Sequence, residues 1–184
     1  MYSKLFISVL LLLASVKAQA QNQAYVYKDS VLTKAIGYVA QKASLDSIQK
    51  VYTQEVTAAR SKAQENYAAL AKPYNVQEGE TIEQLKARMS AIDAEKLSLL
   101  QEEDKLLETR IKSYNSQLEK QYNRDIKPIM ETIDLQIANY AKKHKIDYVF
   151  IMEEMAKSLA YVNKGKDITA VIVEMVNKEL QKWL

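Results

Sequence analysis

Four residues in this sequence stand out for acid–base chemistry: the carboxylates Glu102, Glu103 and Asp104, and the single histidine, His144. A pair of carboxylates on either side of a sugar ring can cleave a glycosidic bond, one as acid and the other as base or nucleophile. Three consecutive carboxylates in a charged helical stretch have a simpler reading, which is a solvated face. His144 lies in Ala141-Lys-Lys-His-Lys145, a cationic run suited to the last turn of a helix, where the macrodipole is negative. One imidazole argues against a Ser-His-Asp triad and against a multi-histidine metal site. The absence of cysteine removes disulfides, zinc thiolates and thiol nucleophiles. Gly37, Gly79 and Gly165 are the only glycines, and neither G-x-x-x-x-G-K nor G-x-G-x-x-G can be written with them. No catalytic residue, metal or cofactor is expected, and the chain does not read as an enzyme.

The elements must therefore serve something other than catalysis. The chain has 184 residues, 48% apolar and 27% charged, with only two prolines, which is too few turn residues for a loop-rich β protein and leaves a mainly helical one. Its first twenty residues read as a cleavable export signal. Lys4 supplies the positive region, Leu5 to Val16 the apolar run, and Ala18-Gln19-Ala20 the small-x-small site, with cleavage after Ala20. Twelve apolar residues are too short to span a bilayer, which takes about twenty. No cysteine stands at that site, so no lipid anchor is expected there. The mature chain would run from Gln21 to Leu184. Loss of Lys4 and Lys17 reduces the net charge from +3 to about +1. A nearly balanced chain sets nucleic acid aside as a partner, and no second apolar run is long enough for stable membrane insertion.

Periodicity divides the rest into four regions. Ala24 to Tyr27 is a β-branched and aromatic run, expected as a strand. From about Val31 to Lys72, Leu45, Ile48, Tyr52, Val56, Ala59, Ala63, Tyr67 and Leu70 recur at steps of three or four, so they share a helix face. Pro73 to Gly79 interrupts the pattern and should reverse the chain, with Thr81 or Glu80 opening the next helix. That helix is expected from about Ile82 to Lys145. Its seam reads Ile82, Leu85, Met89, Ile92, Leu99, Leu106, Ile111, Tyr114, Leu118, Tyr122, Ile126, Ile129, Ile133, Ile137 and Tyr140, with a kink or break at Pro128. A straight helix of that length would reach about 96 Å. A compact globule of this chain is only about 30 to 40 Å across. The economical solution is an antiparallel coiled-coil hairpin projecting from a body. In the fourth region the period changes. Tyr148 to Met152 and Leu159 to Val162 read as strands, and Asp167 as the N-cap of a last helix whose apolar face is Ile168, Val171, Ile172, Met175, Val176 and Leu180. The expected organisation is a body from 21–43 and 119–184, and an arm from 44–118 with its tip near 73–80. Three short strands bury too little alone and leave open edges, so self-association is expected to complete the core. Symmetric closure would point every arm the same way around a central space.

At these residues the sequence resembles the Skp (OmpH) family of periplasmic chaperones. The strand Ala24 to Tyr27 running into Ser30-Val-Leu32, the helical hairpin and the C-terminal block carry the likeness. That block is Ile146-Asp-Tyr-Val-Phe-Ile151, Leu159-Ala-Tyr161 and Lys166-Asp-Ile-Thr169. The resemblance implies a homotrimer in the periplasm, with a short-stranded β-barrel body and three helical tentacles around a cavity. It implies a function as well, the ATP-independent holding of unfolded outer-membrane β-barrel proteins. Tyr25, Tyr27, Tyr148, Phe150, Ile168 and Val171 would then pack the body and its subunit contacts.

One departure concerns charge. Well-known members have basic tentacles, whereas Ser44 to Leu118 here holds ten Lys and Arg against twelve Asp and Glu. No lipopolysaccharide site is transferred, and client contact is assigned to apolar and tyrosine surface, with Tyr67, Tyr74, Tyr114 and Tyr122 as candidates. Tyrosine offers apolar area with a hydroxyl, and the chain has twelve tyrosines against two phenylalanines. The same rings could instead fill the hairpin seam. The alternative function is a structural coiled-coil envelope scaffold that binds a folded partner.

Overall fold

The computed structural model describes residues 21–183, so the export signal lies outside the described residues. The chain divides into two compact units, one made of residues 21–39 with 128–183 and the other of 40–127. The second unit extends beyond the 44–118 span expected of the arm at both ends.

The first unit joins the two ends of the chain. Strand β1, Gln23–Val26, pairs in parallel with β2, Tyr148–Ile151, in the register Gln23 to Tyr148 through Val26 to Ile151. Parallel neighbours require a long crossover, and here everything between residues 26 and 148 supplies it. Helix α1, Lys28–Lys34, follows β1 directly. Its first free amides, those of Lys28 and Asp29, donate to the Glu153 carboxylate at 3.1 and 3.0 Å, so a distant side chain caps it. The chain then bends at Ala35 to Gly37, where Gly37 takes a φ of +84° open to glycine. Asn177 fastens this bend. Its Oδ1 accepts from the Ile36 amide at 2.8 Å and its Nδ2 donates to the Lys34 carbonyl at 3.0 Å.

The core of this unit is one cluster: Ala24 and Val26 from β1, Val31 and Ala35 at α1, Ile129 and Ile133, and Ile168, Ile172, Val176 and Leu180. Ile129 and Ile133 belong to α5, Lys127–His144, and the last four lie on or just before a C-terminal helix, Thr169–Leu180. The break expected at Pro128 falls at Ile126, which places Pro128 in the first turn of α5, where its missing N–H breaks no helical bond. Helix α5 ends in a Schellman motif. Lys145 is left-handed at φ +52°, and the Ile146 amide reaches back to the Ala141 carbonyl. Asn22 covers the exposed His144 and Lys145 carbonyls with its amide group.

One expected strand is absent. Leu159–Val162 forms no ladder; it follows the short helix Met152–Met155 and the 3₁₀ turn Ala156–Ser158 as irregular chain. The far edge of β1 is taken at Tyr25 by a single bridge to Asp167, and the sheet has two strands. Within one chain, therefore, the described residues form a strand pair and not a barrel.

The second unit is a helical hairpin. Helix α2, Tyr38–Ala71, and α4, Ala91–Asp125, each rise about 50 Å. Their cross-contacts run in opposite directions along the chain: Ser44 with Gln121, Tyr52 with Gln117, Arg60 with Glu108, Tyr74 with Asp93. That ordering makes the pair antiparallel. On α2 from Leu45 onward the half-buried residues are Leu45, Ile48, Tyr52, Val56, Ala59, Ala63 and Leu70, the stripe read from the sequence, with Tyr67 at its exposed margin.

The return limb was expected to be continuous from Ile82. Instead a short helix α3, Ile82–Ala87, is followed by a break at Arg88 to Ser90, and Ser90 caps α4 by accepting from the Asp93 amide. That break resets the helical phase. Leu97 and Leu107 are buried, and of the expected seam residues, Ile92, Leu99 and Leu106 lie outside the seam, with Ile82 and Tyr122 exposed as well.

Candidate functional site

The hairpin tip is the most tightly built part of the second unit. Ala71, Leu85 and Leu97 form a small core, with Leu70, Tyr74 and Met89 packed against it. Asn75 and Gly79 take positive φ to turn the chain, and Thr81 opens α3 with a reciprocal capping box to Gln84. Arg88 grips Glu80 with two parallel bonds of 2.6 and 2.8 Å and also donates to the Asn75 carbonyl. This fork holds the Glu80 carboxyl down at about 2. The Tyr74 hydroxyl donates to Asp93 at 2.6 Å and accepts from the Ser90 amide. The Tyr74 bond, with help from Lys96 and Ser90, keeps the Asp93 carboxyl below its usual range.

Midway along the hairpin, Tyr52 and Tyr114 stack with ring centroids 3.8 Å apart and nearly parallel planes. The Tyr52 hydroxyl donates to Gln117 at 2.7 Å, and the Tyr114 hydroxyl donates to Glu55, a bond that raises the Tyr114 pKa. Of the four tyrosines assigned to client contact, Tyr74 and Tyr114 thus spend their hydroxyls inside the hairpin. Tyr67 and Tyr122 are exposed. Tyr67 lines a groove of about 300 Å³ with Ile82, Leu97 and Leu100, and Arg60 and Asp104 contribute polar side chains to it.

Sequence reasoning missed the exposed apolar residues of α4. Ile92, Leu99 and Leu106 are 68%, 54% and 66% exposed. Their spacing of seven puts them on one helix face, and the signal that separates that face from the seam is the stripe Leu97, Leu100, Leu107, Ile111, Tyr114 and Leu118 on the same continuous helix. The carboxylates Glu102, Glu103 and Asp104, read as a solvated face, are all exposed.

In the first unit, the residues assigned to the body core divide. Tyr25 and Ile168 are buried, Phe150 and Val171 are half-buried, and Tyr27 and Tyr148 are exposed. Burial, followed by the Asp167 charge, raises the Tyr25 pKa. A hollow of about 280 Å³ brings Tyr25 and Phe150 together with Leu159 and Val162, and Tyr161 at its rim is 81% exposed. Asp167 stands one residue before the N-cap position, Ile168, and its Oδ1 accepts from the Thr169 amide at 2.8 Å. His144 does lie in the last turn of α5, stacked on Tyr140.

No group of three or more acidic, histidine or cysteine side chains among the described residues is arranged to hold a metal. No helix among them is long and apolar enough to cross a membrane.

A family model described as outer membrane protein (OmpH-like) matches residues 22–176. No curated protein matches the chain. Among solved structures, a crystal structure from Caulobacter crescentus, described as a candidate outer membrane chaperone (OmpH-like), is similar with a TM-score of 0.52 at 14% identity. The match covers 86% of this chain and 85% of that one. At that identity the likeness concerns the fold: long helices with a small strand pair.

Proposed function

The chain belongs to the OmpH-like family, and from that membership we propose that it is a periplasmic holdase, which keeps unfolded outer-membrane β-barrel proteins from aggregating without ATP. On this reading three copies associate through their bodies, and the client is held between the hairpins. The observation that carries it is the hairpin's thin seam. Large apolar side chains such as Leu99, Leu106 and Tyr67 stay in solvent, where weak contacts can be made and released in many places. Several arms in one assembly would raise the effective concentration of each for a client already held by another. The open edge of β2, whose first residue Tyr148 is exposed, supports association through the body.

The test uses the chain beginning at Gln21. It should elute as a trimer by light scattering at micromolar concentration. It should also suppress the turbidity of a β-barrel protein diluted from urea, with no nucleotide present. A monomer, or undiminished turbidity, overturns the proposal. Capture of a folded envelope protein in preference to the urea-denatured barrel would favour a scaffold.

A further inference from the structure

The exposed stripe on α4 has a chemical character of its own. Ile92, Leu99 and Leu106 repeat at seven residues and span about 21 Å of helix. Between them, three or four positions from each, stand Glu95, Glu102 and Glu103, all exposed. None of these three carboxylates has an ion pair or hydrogen bond among the described residues. Lys96, the cation beside the stripe, is already paired with Asp93 at 3.2 Å. Arg110, one turn beyond Leu106, and Lys62 of α2 line a hollow together with Glu103, Asp104 and Leu106, so cations meet the stripe at that end, and Glu95 and Glu102 are not part of that lining. The stripe therefore presents three apolar anchors flanked by three carboxylates that make no ion pair, two of them, Glu95 and Glu102, away from the cations at the Leu106 end, and its complement is a segment with apolar side chains at matching intervals and Lys or Arg beside them.

We propose that this face of α4 takes cationic, amphipathic segments of unfolded polypeptide, apolar side chains against Ile92, Leu99 and Leu106 and basic side chains against Glu95, Glu102 and Glu103. This rests on the holding function above and names the chemistry of what is held. It runs opposite to the acidic clients that basic tentacles attract. The carboxylates supply discrimination and the leucines supply contact area, so the two contributions separate on substitution.

The experiment measures binding of the intact assembly, starting at Gln21, to two labelled peptides with identical apolar positions, one carrying Lys and the other Glu between them. At low salt the Lys peptide should bind about fivefold more tightly, the scale of a few exposed ion pairs, and the preference should shrink with added salt. Glu95→Gln, Glu102→Gln and Glu103→Gln together should abolish the preference while leaving the Glu peptide no weaker. Leu99→Ser with Leu106→Ser should weaken both peptides without altering the far-ultraviolet circular dichroism, since both sites are exposed. Equal binding of the two peptides, or tighter binding of the Glu peptide, overturns the inference. A fall in oligomer mass in the Leu→Ser variant overturns it as well, because a second copy is then the occupant. If turbidity of an unfolded barrel is still suppressed while the peptides bind equally, only this inference fails; if suppression is absent, the holding function fails with it.

Discussion

The two units of this chain are built on opposite economies. The first draws β1, α1, α5 and the C-terminal helix onto a single cluster in which Val26, Val31, Ile133, Ile172 and Val176 are fully buried. In the second, two helices of 34 and 35 residues bury only Ala71, Leu97 and Leu107 between them, Ala71 and Leu97 in the tip. A helix pair can cover one side of each member and no more, so most of its apolar stripe remains half-exposed. The hairpin is stabilised at its closed end and pinned along its length by the Tyr52–Tyr114 ring stack and by polar contacts such as Tyr52 with Gln117 and Arg60 with Glu108. The lesson is that the same apolar residue types serve as core in one unit and as available surface in the other.

Paired substitutions can break or sharpen this contrast. Ile172→Ala in the first unit should cost about 3 to 4 kcal/mol in denaturant unfolding, since a fully buried side chain leaves a cavity as well as losing its transfer energy. Leu97→Ala in the tip should cost about 2 to 3 kcal/mol. That loss should appear as faster amide hydrogen exchange over residues 81–97, with the first unit's amides unchanged. The half-buried Ile48→Ala in the seam should cost only about 1 kcal/mol. A cost there equal to that of Ile172→Ala would mean that the seam is as well packed as the body, and the contrast would fail. Tyr52→Phe removes the hydroxyl bond to Gln117 and keeps the stack, so about 0.5 to 1 kcal/mol is expected.

Acidification is the mildest probe at ordinary pH. The folded Glu80 carboxyl titrates at about 2, below the 4.5 of an unperturbed glutamate, so the unfolded chain takes the proton first. Its stabilisation is complete above pH 4.5 and is lost as the pH falls toward 2. The depressed Asp93 carboxyl works in the same direction. Hydrogen exchange should therefore loosen at the tip as pH drops from 4.5 to 3, and Arg88→Met should remove most of that dependence. An acid response unchanged in Arg88→Met would refute the fork as its source.

What could be read from the sequence follows where one physical signal dominates. Leu45 to Leu70 on α2 keep an uninterrupted 3.6 period, and the half-buried positions match it. Ile168, Ile172, Val176 and Leu180 were equally plain. Between Ile92 and Leu107 the signal splits, because Leu97, Leu99, Leu100, Leu106 and Leu107 supply two apolar faces that periodicity within that stretch does not rank. The phase is set further along the same helix, where Leu107, Ile111, Tyr114 and Leu118 follow at steps of four, three and four and continue the face of Leu97 and Leu100. The strand expected at Leu159–Val162 shows the opposite limit. Its residues favour an extended chain, but a strand also requires a partner edge, and pairing is a tertiary property that residue type does not encode. The clamp of Asn177 on Lys34 and Ile36 joins positions more than 140 residues apart, beyond any local pattern.

That clamp and the parallel pairing of β1 with β2 also set an order of assembly. As the chain emerges from its N-terminus, α2 and α4 can meet once residue 125 is out, and the hairpin closes on contacts supplied from within itself. The first unit has to wait. Val26 and Val31 appear early, yet the helix that covers them ends at Leu180. Folding of the body is therefore a late, long-range event that follows a completed hairpin, and long-range closure of this kind is intrinsically slow.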